Sequence, residues 1–266
     1  MNTINAKTKG LMFGINYVAS PSSQLYGCVN DVINMTKTLR DVFGFGDVAV
    51  YTDETTPLDV TKAGMMRRLT EMAALSYKES LEVIWIHYSG HGSSTIDRNR
   101  DELDGRDEVL VPSDYQSAGF ITDDWMQTLM TQFNPATRVI CVFDSCHSGT
   151  ITDVKFSWEN ERKAVVENMR CRVRSKVITL SGCLDSQTAA DAWDVLGDKT
   201  SVGAMTACLL LLLRGNPAMY RANVFRLLAD LRVLLKNRGF TQVPKLCSTY
   251  NLAKEKTFIP LPLKRK

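Results

Sequence analysis

Seven cysteines are present, an odd number, and no two are spaced as C-x-x-C, so the chain carries neither the even framework of a small disulfide-stapled protein nor a zinc ribbon. Long apolar runs are missing too. The longest, "AMTACLLLLL" at 204 to 213, has ten residues, about half of what a bilayer-crossing helix needs. No amino-terminal stretch joins a charged start to an apolar core and a small-residue cleavage site. Charge of one sign is also scarce: the net formal charge is +3, with no basic stripe interleaved with aromatics, so no nucleic-acid partner is expected. Internal repeats and low-complexity linkers are absent. These absences lead to the expectation of a cytoplasmic, single-domain protein over 1–266 that binds no membrane, with a short leading segment (1–9) and a basic tail (263–266), and the buried-looking helices and closed carboxyl-terminal region to the expectation of a monomer. What remains is ordinary globular material, 44% hydrophobic and 23% charged, enough for a packed core.

Short β-branched runs alternate with amphipathic segments, which predicts an α/β fold: a mostly parallel sheet of about six to eight strands flanked by helices. Strands are expected at 10–18, 48–53, 81–89, 109–112, 138–145, 176–182 and 243–250. Helical spacing covers Val29 to Phe43, Thr56 to about Ser76, Thr122 to about Phe133, 201–214 and 223–237. Residues 92–108 and 147–175 read as long polar loops, a length that in a compact domain marks function or disorder. Cys141, Cys171, Cys183, Cys208 and Cys247 sit in such surroundings that they read as plain thiols, mostly core.

Two strands end alike. "IHYSGHG" finishes on His91 between glycines, and "VFDSCHSG" finishes on Cys146 just past Asp144. In an open α/β sheet ligands bind beyond the carboxyl ends of the strands, so neighbouring strands would bring these two loops together. A thiol is a weak nucleophile until an imidazole takes its proton, and the same imidazole can then protonate a leaving amine. The pair is therefore chemically sufficient for peptide hydrolysis. Gly92, able to approach a substrate closely, is the candidate oxyanion donor, with the Cys146 amide as the second. Each residue alone favours a bland reading, a core thiol or a turn histidine; on matched strand ends they favour catalysis.

"HYSGHG" followed by "DSCHSG" resembles the dyad signature of the metacaspases. "GINYV", "LYGCVNDV", "SGCLDSQTAAD" and "FTQVPKL" resemble further family blocks, so the likeness runs from about 10 to 250. It implies a caspase-like sheet, Cys146 as nucleophile and His91 as acid and base. His147, the immediate neighbour of Cys146, would point elsewhere and is read as structural. The resemblance also implies an acidic pocket for an Arg or Lys side chain, with Asp31 and Asp144 as its charges and Cys28 and Ser89 as its walls. Asp107, Asp123, Asp124 and Asp153 match the family's calcium positions, although Asp123 and Asp124 at a helix start could equally serve the helix dipole. Peptide or protein substrates with basic residues are thus the expected partners, and Ca2+ the expected cofactor. Self-cleavage is expected within 155–176, where seven Lys and Arg residues lie. Two other readings are a non-catalytic scaffold of the same fold and a calcium-independent paracaspase-like peptidase.

Overall fold

The computed structural model describes residues 7–96, 106–146, 149, 151–182, 191–193, 195–196 and 200–261. In chain order the elements are β1 (Thr8–Gly14), α1 (Cys28–Asp41), β2 (Asp47–Thr52), α2 (Lys62–Lys78), β3 (Val83–Ser89), β4 (Gly92–Ile96), β5 (Arg106–Leu110), α3 (Tyr115–Ala118), β6 (Ile121–Thr122), α4 (Asp123–Met130) and β7 (Arg138–Asp144). Then follow β8 (Phe156–Asn160), β9 (Lys163–Val166), β10 (Lys176–Ser181), β11 (Asp191–Trp193), β12 (Ser201–Gly203), α5 (Ala204–Gly215), α6 (Pro217–Ala222), α7 (Val224–Asn237) and β13 (Lys245–Ser248).

Eight strands form one mixed sheet in the order β2-β1-β3-β7-β10-β13-β8-β9. The first five run parallel, and β13, β8 and β9 continue the sheet antiparallel. The central strands β3 and β7 are buried at every position, which is why their sequences are apolar without alternation. Each face of the sheet carries its own apolar layer. Val32, Met35 and Leu39 of α1 pack with α5, α6 and α7 on one face, while Met65, Leu69 and Met72 of α2 pack with Met126 and Leu129 of α4 on the other. Helix α5 is buried nearly all round because it lies between α1 and α7 against the sheet, as its unbroken leucines require. Among the described residues no helix is long and apolar enough to cross a membrane.

Several local expectations change. Thr56 and Pro57 open a 3-10 turn (Pro57–Asp59), and α2 starts later, at Lys62, where Thr61 accepts from the Gly64 amide at 3.1 Å. Thr122 does cap α4, accepting from Trp125, but the helix stops at Met130. The segment 92–108 is not wholly loop: β4 and the start of β5 form a hairpin, which β6 extends to a three-stranded antiparallel sheet. Likewise 147–175 contains the β8–β9 hairpin, and α6 interrupts the stretch between the last two expected helices. The β8–β9 hairpin escapes pattern reading because it lies at the sheet edge: every residue of β9 is exposed, so no face is selected for apolarity.

Candidate active site

Strand β3 pairs with β7 in a register that sets Ser89 against Asp144. The two chains therefore leave the sheet side by side, and the Gly90 amide still donates to the Asp144 carbonyl at 3.4 Å. Two residues later Gly92 lies flat against Cys146: a Cβ built there would run into the Cys146 carbonyl oxygen, so only glycine permits this approach. His91 and Cys146 thus sit on abutting loops at the carboxyl edge of the sheet, as expected from their strand ends.

The backbone of His91 is held on both sides. Its N–H donates to the Tyr17 hydroxyl at 2.9 Å, and its carbonyl accepts from the Tyr88 hydroxyl at 2.6 Å and the Val111 amide at 3.2 Å. Tyr17 donates in turn to the Val111 carbonyl at 2.6 Å, and its ring packs on the imidazole with centroids 4.6 Å apart. Burial pushes both phenols above their ordinary range, so they remain hydrogen-bond donors throughout the working pH range. Tyr17 itself takes a left-handed backbone conformation (φ 55°), unfavourable for a bulky side chain. Asp53 braces it, one carboxylate oxygen accepting from the Asn16 amide and the other from the Val18 amide, each at 3.0 Å.

The imidazole also has a defined tautomer. Nε2 lies 2.7 Å from the Ser23 carbonyl oxygen. A carbonyl can only accept, so Nε2 carries the hydrogen and Nδ1 is the basic nitrogen. Ser23 closes a short 3-10 turn (Pro21–Ser23), and its hydroxyl meets that of Tyr115 at 3.1 Å. This carbonyl was not legible in the sequence, since a main-chain group leaves no side-chain signature.

The Gly92 N–H has a defined direction. Val111 donates to the His91 carbonyl, so in the antiparallel β4–β5 ladder Gly92 and Leu110 form the non-hydrogen-bonded pair. The Gly92 N–H consequently points away from β5. Cys146 is buried at 9% exposure. Elsewhere burial pushes the thiols of Cys208 and Cys247 up to about 11 and about 12, and that of Cys141 higher still, consistent with plain core thiols. Cys171 departs from the core expectation in being only partly buried. His147 and Cys183 lie outside the described residues.

Three of the four expected pocket residues, Asp31, Ser89 and Asp144, gather on one side of this edge, whereas the Cys28 side chain packs in the layer that holds Tyr17 and Tyr88. Asp31 is fully buried in the first turn of α1, with one carboxylate oxygen accepting from Ser89 Oγ at 2.5 Å and the other from the Gly203 amide at 2.8 Å. Asp144, 2% exposed, accepts from the Thr206 amide in the first turn of α5 at 2.8 Å and from Gln242 Nε2 at 3.5 Å. Both carboxylates close on Gly203, where any Cβ would strike them both. Cys28 is buried at the start of α1, its amide donating to Asn16 Oδ1 at 3.1 Å. Gly203, Thr206 and Gln242 were missed by sequence reasoning; their polar roles depend on contacts spanning tens of residues. The two carboxylates are thus withdrawn from water and lie close to one another.

The acidic quartet lies at the neighbouring corner. Asp123 (3% exposed) caps its own helix start: one oxygen accepts from the Glu108 amide at 2.7 Å and the other from the Asp124 amide at 2.8 Å. Asp107 is buried in β5 beside it. Asp153, with a left-handed backbone (φ 37°), is bound through its carboxylate by the side-chain amides of Gln127 and of Asn168, the latter at 2.6 Å. Gln127 is on the same helix as Asp123 and Asp124, so the quartet shares one region. Among the described residues no three His, Cys, Asp or Glu side chains converge on a point suited to a metal ion.

The family model for the metacaspase peptidase C14 domain matches residues 8–155. The chain belongs to the metacaspase family. Metacaspase-1 of Kluyveromyces lactis is 30% identical over 92% of this chain and 67% of its own length. Metacaspase-1A of Aspergillus clavatus is 32% identical with the same two coverages. Among solved structures, a Geobacter sulfurreducens protein superposes with a TM-score of 0.64 at 22% identity, covering 96% of this chain and 100% of that one. Caspase-1 of Spodoptera frugiperda superposes at 0.58 and 12% identity, covering 91% and 86%. The α/β sandwich of this metacaspase is accordingly caspase-like, and the family is one of cysteine peptidases.

Proposed function

We propose that this metacaspase is a calcium-dependent endopeptidase that cuts peptide bonds after Arg or Lys. The observation that carries the reading is the contact of the His91–Gly92 loop with the Cys146 backbone, beside a buried pair of carboxylates. His91 Nδ1 takes the Sγ proton of Cys146, and the thiolate attacks the scissile carbonyl carbon. The Gly92 and Cys146 amides stabilise the oxyanion. As the C–N bond breaks, the imidazolium returns its proton to the leaving amine, leaving a thioester on Cys146. His91 then takes a proton from water, whose oxygen attacks the thioester, the C–S bond breaks, and the thiolate recovers that proton from the imidazolium. The Ser23 carbonyl keeps Nε2 protonated throughout, so the basic nitrogen is always the one offered to the reaction.

Asp31 and Asp144 would receive the substrate cation, with Ser89 as their neighbour. Calcium would require the carboxylates of Asp107, Asp123, Asp124 and Asp153, which do not converge on one point here, to draw together; so joined they would form an all-oxygen set suited to a hard cation, and the ion would order the loops they belong to. Hydrolysis of Arg-, Lys- and Asp-terminated reporter peptides, with and without calcium and alongside Cys146→Ala, tests the reading. Preference for Asp, or activity surviving in Cys146→Ala, would sink it.

Self-cleavage belongs to the same reading. Within 155–176, Lys163 pairs with Glu159 on the β8–β9 hairpin and Lys176 binds Glu255, whereas Arg170, Arg172 and Arg174 lie exposed on irregular chain. A protease needs an accessible extended substrate, so the cut is expected after one of these three. Mass spectrometry of fragments formed on calcium addition would locate it.

A further inference from the structure

Gln242 precedes β13 and is 7% exposed. Its side-chain Nε2 meets Asp144 Oδ1 at 3.5 Å, and a Cβ on the neighbouring Gly182 would contact that same nitrogen and the same carboxylate oxygen. The amide has no choice of orientation here: reversed, it would press its carbonyl against a carboxylate. Its oxygen, Oε1, is consequently left buried with no donor among the described residues. A buried acceptor without a partner is destabilising and is uncommon in native proteins, which makes it an indicator of a missing ligand donor. By covalent geometry this acceptor stands next to Asp144.

We infer that Gln242 is a specificity-determining residue of the acidic pocket, accepting through Oε1 an N–H of a substrate arginine whose guanidinium also meets Asp31 and Asp144. The inference rests on the Arg/Lys pocket reading above and goes beyond it by separating the two cations. A guanidinium spreads five N–H donors over a plane and can reach two carboxylates and a third acceptor together. An ammonium is a compact charge with three donors, which two carboxylates and water satisfy. Gln242 therefore favours Arg.

The test is Gln242→Met, which keeps the length of the side chain and removes the acceptor. Peptides identical except for Arg or Lys before the cleaved bond are assayed with the full chain, together with the rate of Cys146 alkylation by iodoacetamide. We expect kcat/KM for the Arg peptide to fall at least ten-fold, mainly through KM, the Lys peptide to change less than three-fold, and alkylation to be unaltered. Equal losses on both peptides, with or without slower alkylation, would overturn the assignment, as would no loss on Arg. If the wild-type chain cuts neither peptide, the pocket reading itself fails and this inference falls with it.

Discussion

Replacing His87 by glutamine should flatten the acid limb of the protein's stability. His87 lies on β3, two residues before Ser89 on the same face, and is completely buried. Its Nε2 reaches only the Thr206 hydroxyl, at 3.4 Å, and its Nδ1 has no partner among the described residues. No carboxylate offsets the loss of water, so burial pushes its imidazole down to about 3 from an ordinary 6.5. Below pH 6.5 the unfolded chain binds a proton there that the folded chain refuses until about pH 3. Stability is therefore full above the unfolded value and declines as pH falls, by ~1.4 kcal/mol per pH unit for one such proton. Between pH 6.5 and pH 5 the loss amounts to about 2 kcal/mol, a substantial part of the 5–15 kcal/mol typical of a folded domain. Glutamine stays neutral, so the difference between wild type and His87→Gln should shrink by that amount over the interval, whatever the cost of the substitution at pH 8. Urea unfolding followed by tryptophan fluorescence at half-unit pH steps measures both curves, and titrating surface carboxylates affect them equally. Parallel curves would refute the argument. The consequence reaches the site, because the amide of the same Thr206 holds Asp144.

Tyr17→Phe removes the hydroxyl that receives the part-buried His91 amide, a cost of about 1 kcal/mol; a ten-fold or greater fall in kcat with little change in KM is expected in steady-state assays. Gly203→Ala would push a methyl group between Asp31 and Asp144, so KM for an Arg peptide should rise at least ten-fold while iodoacetamide still alkylates Cys146 at its usual rate. Calcium should raise the thermal midpoint of the wild-type chain and not that of the double variant Asp123→Asn, Asp124→Asn, with chelator abolishing both the shift and the peptidase activity; an unchanged midpoint in wild type would remove the calcium proposal. Glu255, where burial is outweighed by Lys176 and Arg138 so that its carboxyl stays below the ordinary value, contributes stability present above about pH 4.5 and lost as pH falls further; Glu255→Gln should lower the midpoint slightly at pH 7 and not at pH 3.

Much of this molecule was legible as pattern. Continuous apolar runs at 81–89 and 138–145 identified the two buried central strands, and the glycines and reactive residues closing them placed His91 and Cys146 on one edge, because the carboxyl ends of parallel neighbours lie together. The edge hairpin β8–β9 left no comparable trace, since a strand exposed to water, as all of β9 is, is under no pressure to alternate. What the sequence by itself determined was therefore the inventory: the strand ends, the candidate pair Cys146 and His91 on them, and the acidic residues near them. Only the tertiary structure decided which atoms they present. The Ser23 carbonyl selects the tautomer of His91, the Tyr17 and Tyr88 hydroxyls hold its backbone, Gly203 makes room for two carboxylates from α1 and β7, and Gln242 is left with an unmet acceptor. Each of these depends on main-chain groups or on partners far apart along the chain, and sequence spacing carries no record of a hydrogen bond made across the fold.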